Sequence, residues 1–169
     1  MTGNASDLEV RGDGKRVALI VSRFNEDITR ELAAGAREAL LQSGVADDDI
    51  DEYSVAGAFE LAPGCRQVLT RGPEVDAIVA LGAVIRGETP HFEFISRAAV
   101  ESLQRLAIEI DIPLGCGVLT TDSREQAIQR ASRRRGNKGG DAARAALAQA
   151  TLYERLQAGA PSVRGFRIP

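Results

Sequence analysis

Four short strand-like runs recur along this chain, each followed within a few residues by a polar or glycine-bearing break and then by apolar residues at helical spacing. The runs cover residues 17–21, 50–55, 77–81 and 114–119. Ala77, Ile78, Val79, Ala80 and Leu81 carry no polar side chain, which fits a strand buried on both faces of a parallel sheet. Strands that alternate with helices through short connections leave few solutions: a parallel sheet covered by helices on both faces, with right-handed crossovers. In that architecture ligands bind at the carboxyl ends of the strands. All four breaks fall there.

The helices are bounded by their caps. Asn25 is placed as the N-cap of the first, with Glu26 and Asp27 where a helix start favours negative charge. Ile28, Leu32, Ala36 and Leu40 share one face, and Ser43-Gly44 ends the helix. A second helix is predicted from Glu60 to Arg71, with Pro63 tolerated in its first turn. A third opens with Pro90 at its first position and carries Phe94, Ala98, Leu103 and Leu106 up to Asp111. Asp122, with Glu125 three residues on, predicts the start of a fourth, which runs into Arg133-Arg134-Arg135 and breaks at Gly136-Asn137. The last, predicted over 140–156, has Ala143, Leu147, Ala150 and Leu156 near one stripe. Residues 1–14 form a polar arm in which only Leu8 and Val10 suggest a short strand, and 159–169 form a tail rich in proline and glycine.

Length and composition narrow the function. At 169 residues and 44% hydrophobic content the chain suits one domain. No apolar run approaches the ~20 residues of a membrane span, and residues 1–13 lack a signal-peptide pattern, so the expected location is cytoplasmic, without a membrane partner. A net charge of −3 argues against nucleic acid. Cys65 and Cys116 lie far apart with no histidine near either, which makes them reduced buried thiols rather than zinc ligands. Asp47-Asp48-Asp49 reads as a solvated loop, because three adjacent carboxylates cannot converge on one ion from a short turn. No metal site is expected.

Residues 82–94 concentrate the chemistry. They hold the only histidine, His91, together with Gly87, Thr89 and Pro90, so backbone amides at a helix start can face an anion. His91 is the one group suited to move protons near neutral pH, and a hydrolase triad has no second histidine to draw on. With no tryptophan present, a ring-stacking surface has to use phenylalanine or tyrosine. Phe24 and Phe59 follow predicted strands; from sequence each suits either a ring platform or the core. Arg124, Arg130, Arg133, Arg134, Arg135 and Lys138 surround Glu125 alone, which suits either a local anion field or a solvated helix face. Gly136-Asn137-Lys138-Gly139 lacks the Gly-Lys-Ser/Thr of a nucleotide-binding phosphate loop.

Arg23-Phe24-Asn25, Gly57-Ala58-Phe59-Glu60, the block 82–94, the run from Gly117 to Asp122 and Gly136-Asn137-Lys138-Gly139 stand in an order and spacing that resemble the 6,7-dimethyl-8-ribityllumazine synthase family, over about residues 15–157. The resemblance implies a single-domain three-layer α/β sandwich, residues 15–158, with a flavodoxin-like parallel four-stranded sheet and an N-terminal arm, 1–14, able to add to a neighbour's sheet. It implies the condensation of 5-amino-6-(D-ribitylamino)uracil with 3,4-dihydroxy-2-butanone 4-phosphate, without cofactor or metal. Phe24, Ala58, Phe59, Glu60, Ala83, Val84, Ile85 and Cys116 then contact the ribitylaminouracil. Gly87, Glu88, Thr89 and Arg130 bind the butanone phosphate, and His91, Arg130 and Lys138 are catalytic. Cys116 departs from the aromatic residue usual at its position and cannot stack as a ring does. As partners the resemblance implies other copies of the chain, in a homopentamer that stays free or closes into a 60-subunit icosahedral shell, and an association with riboflavin synthase. The short turn 133–139 and an arm without proline favour the shell. A non-catalytic flavin- or nucleotide-binding module, or a purely shell-forming protein, on the same fold is the alternative.

Overall fold

The computed structural model describes residues 9–159. Four parallel strands, β1 (Val17–Ser22), β2 (Ile50–Val55), β3 (Ala77–Ile85) and β4 (Leu114–Thr121), form one sheet in the order β2-β1-β3-β4. Five α-helices cover it: α1 (Glu26–Gln42), α2 (Leu61–Arg71), α3 (His91–Glu109), α4 (Arg124–Ala131) and α5 (Lys138–Gln157). β1 is buried along its whole length, and its side chains alternate between two cores. Val17, Leu19 and Val21 pack with Leu32 of α1 and Leu147 of α5; Ala18 and Ile20 pack with Leu61 of α2 and Leu103 of α3. Each fully buried leucine or isoleucine stabilises the fold by about 2 kcal/mol relative to exposure, so burial on both faces of the sheet contributes most to holding the fold together. Among the described residues no helix is long and apolar enough to cross a membrane.

The chain leaves β1 toward β2 and then returns past β1 to β3. A single hand of crossover demands helices on opposite faces when the direction reverses, and α1 and α2 do lie in opposite cores. The reversal opens a crevice at the carboxyl ends of β1 and β3. Close packing of α5 depends on glycine: a Cβ on Gly139 would stand 2.0 Å from the Leu32 carbonyl oxygen of α1, and one on Gly115 2.2 Å from that of Ala142.

Several expectations shift. β3 continues through Gly82 to Ile85, paired with β4 as far as Ile85↔Thr121. Gly82 is no break: a Cβ there would approach Leu61 to 3.0 Å, so the glycine admits α2 onto the sheet. Asn25 occupies the N-cap position of α1 without capping it; its backbone is left-handed, φ 59°. Pro90 precedes α3 rather than occupying its first turn. Ser123, not Asp122, caps α4, accepting from the Gln126 amide at 3.2 Å, and α4 stops at Ala131 before the arginines. Phe94 is 72% exposed and Leu156 64% exposed, so neither belongs to the core stripe assigned to it. Cys65 is buried as expected, but Cys116 is exposed. Leu8 lies outside the described residues; Glu9 and Val10 form no strand, and Glu9 is tied to α5 by Arg155 at 3.2 Å. Of the tail, only Gly159 is described.

Candidate active site

A cleft of about 380 Å³ opens at the carboxyl ends of β1, β2 and β3, on the side of α2 and α3. Phe24, Ala58, Phe59, Glu60, Ala83, Val84, Ile85, Gly87, Thr89 and His91 all line it. Three strand ends and one helix start, distant in sequence, thus meet in one place.

Each wall has a local cause. After β1 the chain stays paired to the end of β2, through Arg23 N–H to the Val55 carbonyl at 2.8 Å and Phe24 N–H to that of Ala56 at 3.0 Å. The Asn25 side-chain amide donates to the Ala83 carbonyl at 2.9 Å. These bonds hold the Phe24 ring at the cleft mouth, 71% exposed, where it serves no core. Across from it, a 3₁₀ turn over Ala58–Glu60 starts α2 and presents Phe59, 56% exposed. One Glu60 carboxylate oxygen accepts from the Gly57 amide at 2.9 Å, which fixes the turn while the other oxygen remains a free acceptor site.

β3 outruns β1. Its last pairing with β1 is Val21↔Leu81, while its pairing with β4 continues to Ile85. Arg86 N–H donates to Thr121 on the β4 side, at 2.9 Å, so by alternation the amide and carbonyl of Ile85 face the side where β1 has ended. Main-chain groups there can hydrogen-bond the edge of a flat heterocycle. The connection from β3 to α3 is only five residues, 86–90, and delivers Gly87, Thr89 and His91 to the other end of the cleft. The first amides of α3 have no intrahelical acceptors, which suits an anion at that end.

Glu88 is exposed beside this turn but does not line the cleft. Arg130, Lys138 and Cys116 lie elsewhere on the chain. Arg130 is exposed on α4, its guanidinium reaching, among the described residues, only the Gln126 carbonyl of its own helix at 3.4 Å. Lys138 opens α5 and pairs with Asp141 at 2.8 Å. Burial alone would raise the Asp141 carboxyl, but hydrogen bonds from Lys138 and Arg144 outweigh it and hold the group below the usual carboxylate range. Cys116 sits opposite Ala80 in the middle of the edge strand β4.

The basic run is less of a bare anion field than its sequence suggests. Arg124 pairs with Asp27 at 2.5 Å, and Arg133 with Glu31 at 3.2 Å and Glu38 at 3.7 Å, all acids of α1. Among the described residues no carboxylate pairs with Arg130, Arg134 or Arg135. Sequence reasoning gave no role to Phe92 or Ile95, which also line the cleft. Helical spacing from His91 was the signal that would have found Ile95.

A larger, more open groove of about 490 Å³ separates α2 from α3 but offers only helix-surface side chains such as Arg66, Glu101 and Arg105. It has neither strand-end backbone nor histidine, so the smaller cleft is the candidate active site. Among the described residues no group of three or more histidine, cysteine or acidic side chains is placed to hold a metal.

Residues 14–154 match the family model of 6,7-dimethyl-8-ribityllumazine synthase. The chain is 47% identical over 145 residues to the 6,7-dimethyl-8-ribityllumazine synthase of Anaeromyxobacter sp. (strain K), covering 86% of this chain and 89% of that protein. It is 47% identical over 147 residues to the enzyme of the same name from Gemmatimonas aurantiaca, covering 87% and 89% respectively. With its strand-end cleft, its single histidine at the β3–α3 turn and these matches over most of its length, the chain belongs to the 6,7-dimethyl-8-ribityllumazine synthase family.

Proposed function

We propose that the chain condenses 5-amino-6-(D-ribitylamino)uracil with 3,4-dihydroxy-2-butanone 4-phosphate to 6,7-dimethyl-8-ribityllumazine, releasing phosphate and water, as the penultimate step of riboflavin synthesis. The observation that carries this reading is the convergence of two exposed phenylalanines, open β3 backbone and His91 on one cleft. Phe24 packs against the heterocycle, the Ile85 main chain pairs with the uracil edge, and Glu60 accepts from the ribityl hydroxyls. The butanone phosphate lies at Gly87–Thr89, with Glu88 contributing its amide. His91 then stands beside the reacting carbons. Schiff-base formation, loss of phosphate and dehydration all move protons, and one imidazole can take a proton in one step and return it in another. A non-catalytic binding module has no need of a histidine at this point.

The same reading makes the site a shared one. Arg130, Lys138 and Cys116 do not line the cleft of their own chain, so they reach a cleft only when a second copy is the donor. An edge strand that exposes Cys116, and exposed apolar side chains such as Phe94, Ile108 and Ile128, support a surface covered by further copies. The ring is a pentamer, and twelve pentamers close into a shell, with residues 15–158 as the repeating domain and the arm added to a neighbour. Arg130 completes the phosphate clamp with two parallel donors. Cys116 leaves the far face of the ring without an aromatic partner.

The direct test incubates purified protein with both substrates and follows lumazine absorbance and phosphate release together. Absence of both overturns the reading. Sedimentation tests the assembly: a mass of five chains rejects the shell, and a fully active monomer rejects the shared site.

A further inference from the structure

Arg86 has no role in the chemistry above, yet its side chain is held on three sides at the β3–α3 turn. Its Nε donates to Asp122 at the end of β4 at 2.8 Å, and its Nη1 to Glu93 in the first turn of α3 at 3.3 Å. Its guanidinium carbon lies 4.4 Å from the centre of the Phe92 ring, which lines the cleft next to His91. Its own backbone amide extends the β3–β4 ladder by one rung. The side chain therefore closes a loop around residues 87–90, the segment that brings Gly87 and Thr89 to the cleft.

Stability does not account for this arrangement. All three charged groups are largely exposed, and exposed ion pairs contribute about 0–1 kcal/mol. Charge placement does. Glu93 is the acid of the first turn of α3, where it competes with a bound anion for the positive end of the helix. Asp122 adds a second carboxylate on the other side of Arg86. One fixed cation between them pairs with both and leaves the cluster one net negative charge instead of two.

We propose that Arg86 is a positioning residue for phosphate binding: it holds Glu93 and Asp122 paired and the 87–90 turn closed, so that an anion at this turn meets amides rather than two free carboxylates. The proposal rests on the synthase reading for the identity of the phosphorylated substrate, and on the geometry alone for the anion. Arg86 acts through its neighbours, so its loss shows in binding rather than in the chemical step.

Steady-state kinetics of the full-length protein test it. Arg86→Gln is expected to raise KM for the butanone phosphate about fivefold to tenfold, with kcat and KM for the ribitylaminouracil within about twofold. Affinity for inorganic phosphate, measured by calorimetry, is expected to fall by a similar factor. Adding Glu93→Gln to Arg86→Gln is expected to recover most of the loss, and Arg86→Lys to show less of it. Equal losses for both substrates, unchanged phosphate affinity, or no recovery with Glu93→Gln each overturn the proposal. If Arg86→Gln melts early by circular dichroism, Glu93→Gln alone decides: with Arg86 released toward the anion it is expected to tighten phosphate, and weaker binding overturns the idea. Failure of the wild-type protein to form lumazine would remove the synthase reading while leaving the phosphate titrations valid.

Discussion

Asn25 donates its side-chain amide to the carbonyl of Ala83 across 2.9 Å, while its own backbone sits in the left-handed region at φ 59°. The bond links the end of β1 to the end of β3 at the point where the two strands stop pairing, and the residue before it is Phe24. Replacement by alanine removes the bond and leaves a Cβ in an unfavourable conformation, together about 2 kcal/mol. Asn25→Ala is expected to lower denaturant stability by that amount and to raise KM for the ribitylaminouracil, because the Phe24 ring loses its anchor. Asn25→Gly separates the effects: it relieves the backbone and still loses the anchor. A glycine variant with wild-type KM would show that Phe24 is held by other means.

His91→Ala is expected to lower kcat by roughly 10²-fold or more with little change in melting temperature, since the imidazole is exposed and supports no core packing. Positioning of the two substrates alone keeps a residual rate. Single-turnover measurement checks this, and wild-type turnover would remove His91 from the mechanism.

Arg130→Ala is expected to weaken binding of the butanone phosphate by about 2–4 kcal/mol and to spare the ribitylaminouracil. Because Arg130 and His91 belong to one site but different copies under the proposed assembly, unfolding and refolding His91→Ala and Arg130→Ala chains together should restore activity. Some sites then draw the imidazole from one chain and the guanidinium from the other. A mixture as inactive as its parts would place both residues in a single chain's site.

The two thiols should separate in reactivity. Burial pushes Cys65 up to about 12, so it stays protonated and silent toward alkylating reagents at pH 8 until the protein unfolds. Cys116 is exposed on β4 and is expected to react. Saturation with the ribitylaminouracil should protect it if it lines a neighbour's cleft, and mass mapping of the alkylated peptides checks both points.

Acid stability should follow Asp51 and Asp141. The hydrogen bond from Arg16 holds the Asp51 carboxyl below its ordinary value, and Asp141 is depressed despite its burial. A depressed carboxyl stabilises the fold fully above its unfolded pKa near about 4, and loses that contribution as pH falls through the folded value. Stability is therefore expected to decline below about pH 4 and to decline less steeply in Arg16→Met, as read from denaturation midpoints across the acid range.

Much of the architecture was legible because β1, β3 and the inward face of α1 carry their burial in plain periodicity: Ile28, Leu32, Ala36 and Leu40 are all buried as spaced. The cleft residues were found through motifs at strand ends. What sequence missed was set by tertiary contact. Gly82 signals a break locally but is a strand residue because Leu61 needs its space. Asn25 has the chemistry of a cap but spends it on Ala83. Phe94 fits the apolar spacing of α3 yet points away from the sheet, since periodicity cannot tell a face turned to the core from one turned outward. The arginine run looked unopposed because its acids come from α1, a hundred residues earlier in the chain for Arg133 and Glu31.

β3 continues beyond the end of β1, which leaves the backbone of Ile85 open on that side, and pairing with β4 on the other side holds this overhang in place. A growing chain that has completed α3 but not β4 therefore owns every residue that lines its cleft and lacks the strand that holds the end of β3. Completion of the pocket is thereby tied to closure of the sheet, through the long-range pairing that makes parallel topologies slow to fold. Any ligand that fills the cleft then pulls on the whole folding equilibrium, so the substrate acts as a late-stage inspector of its own enzyme, retained only by chains that have finished their fourth strand.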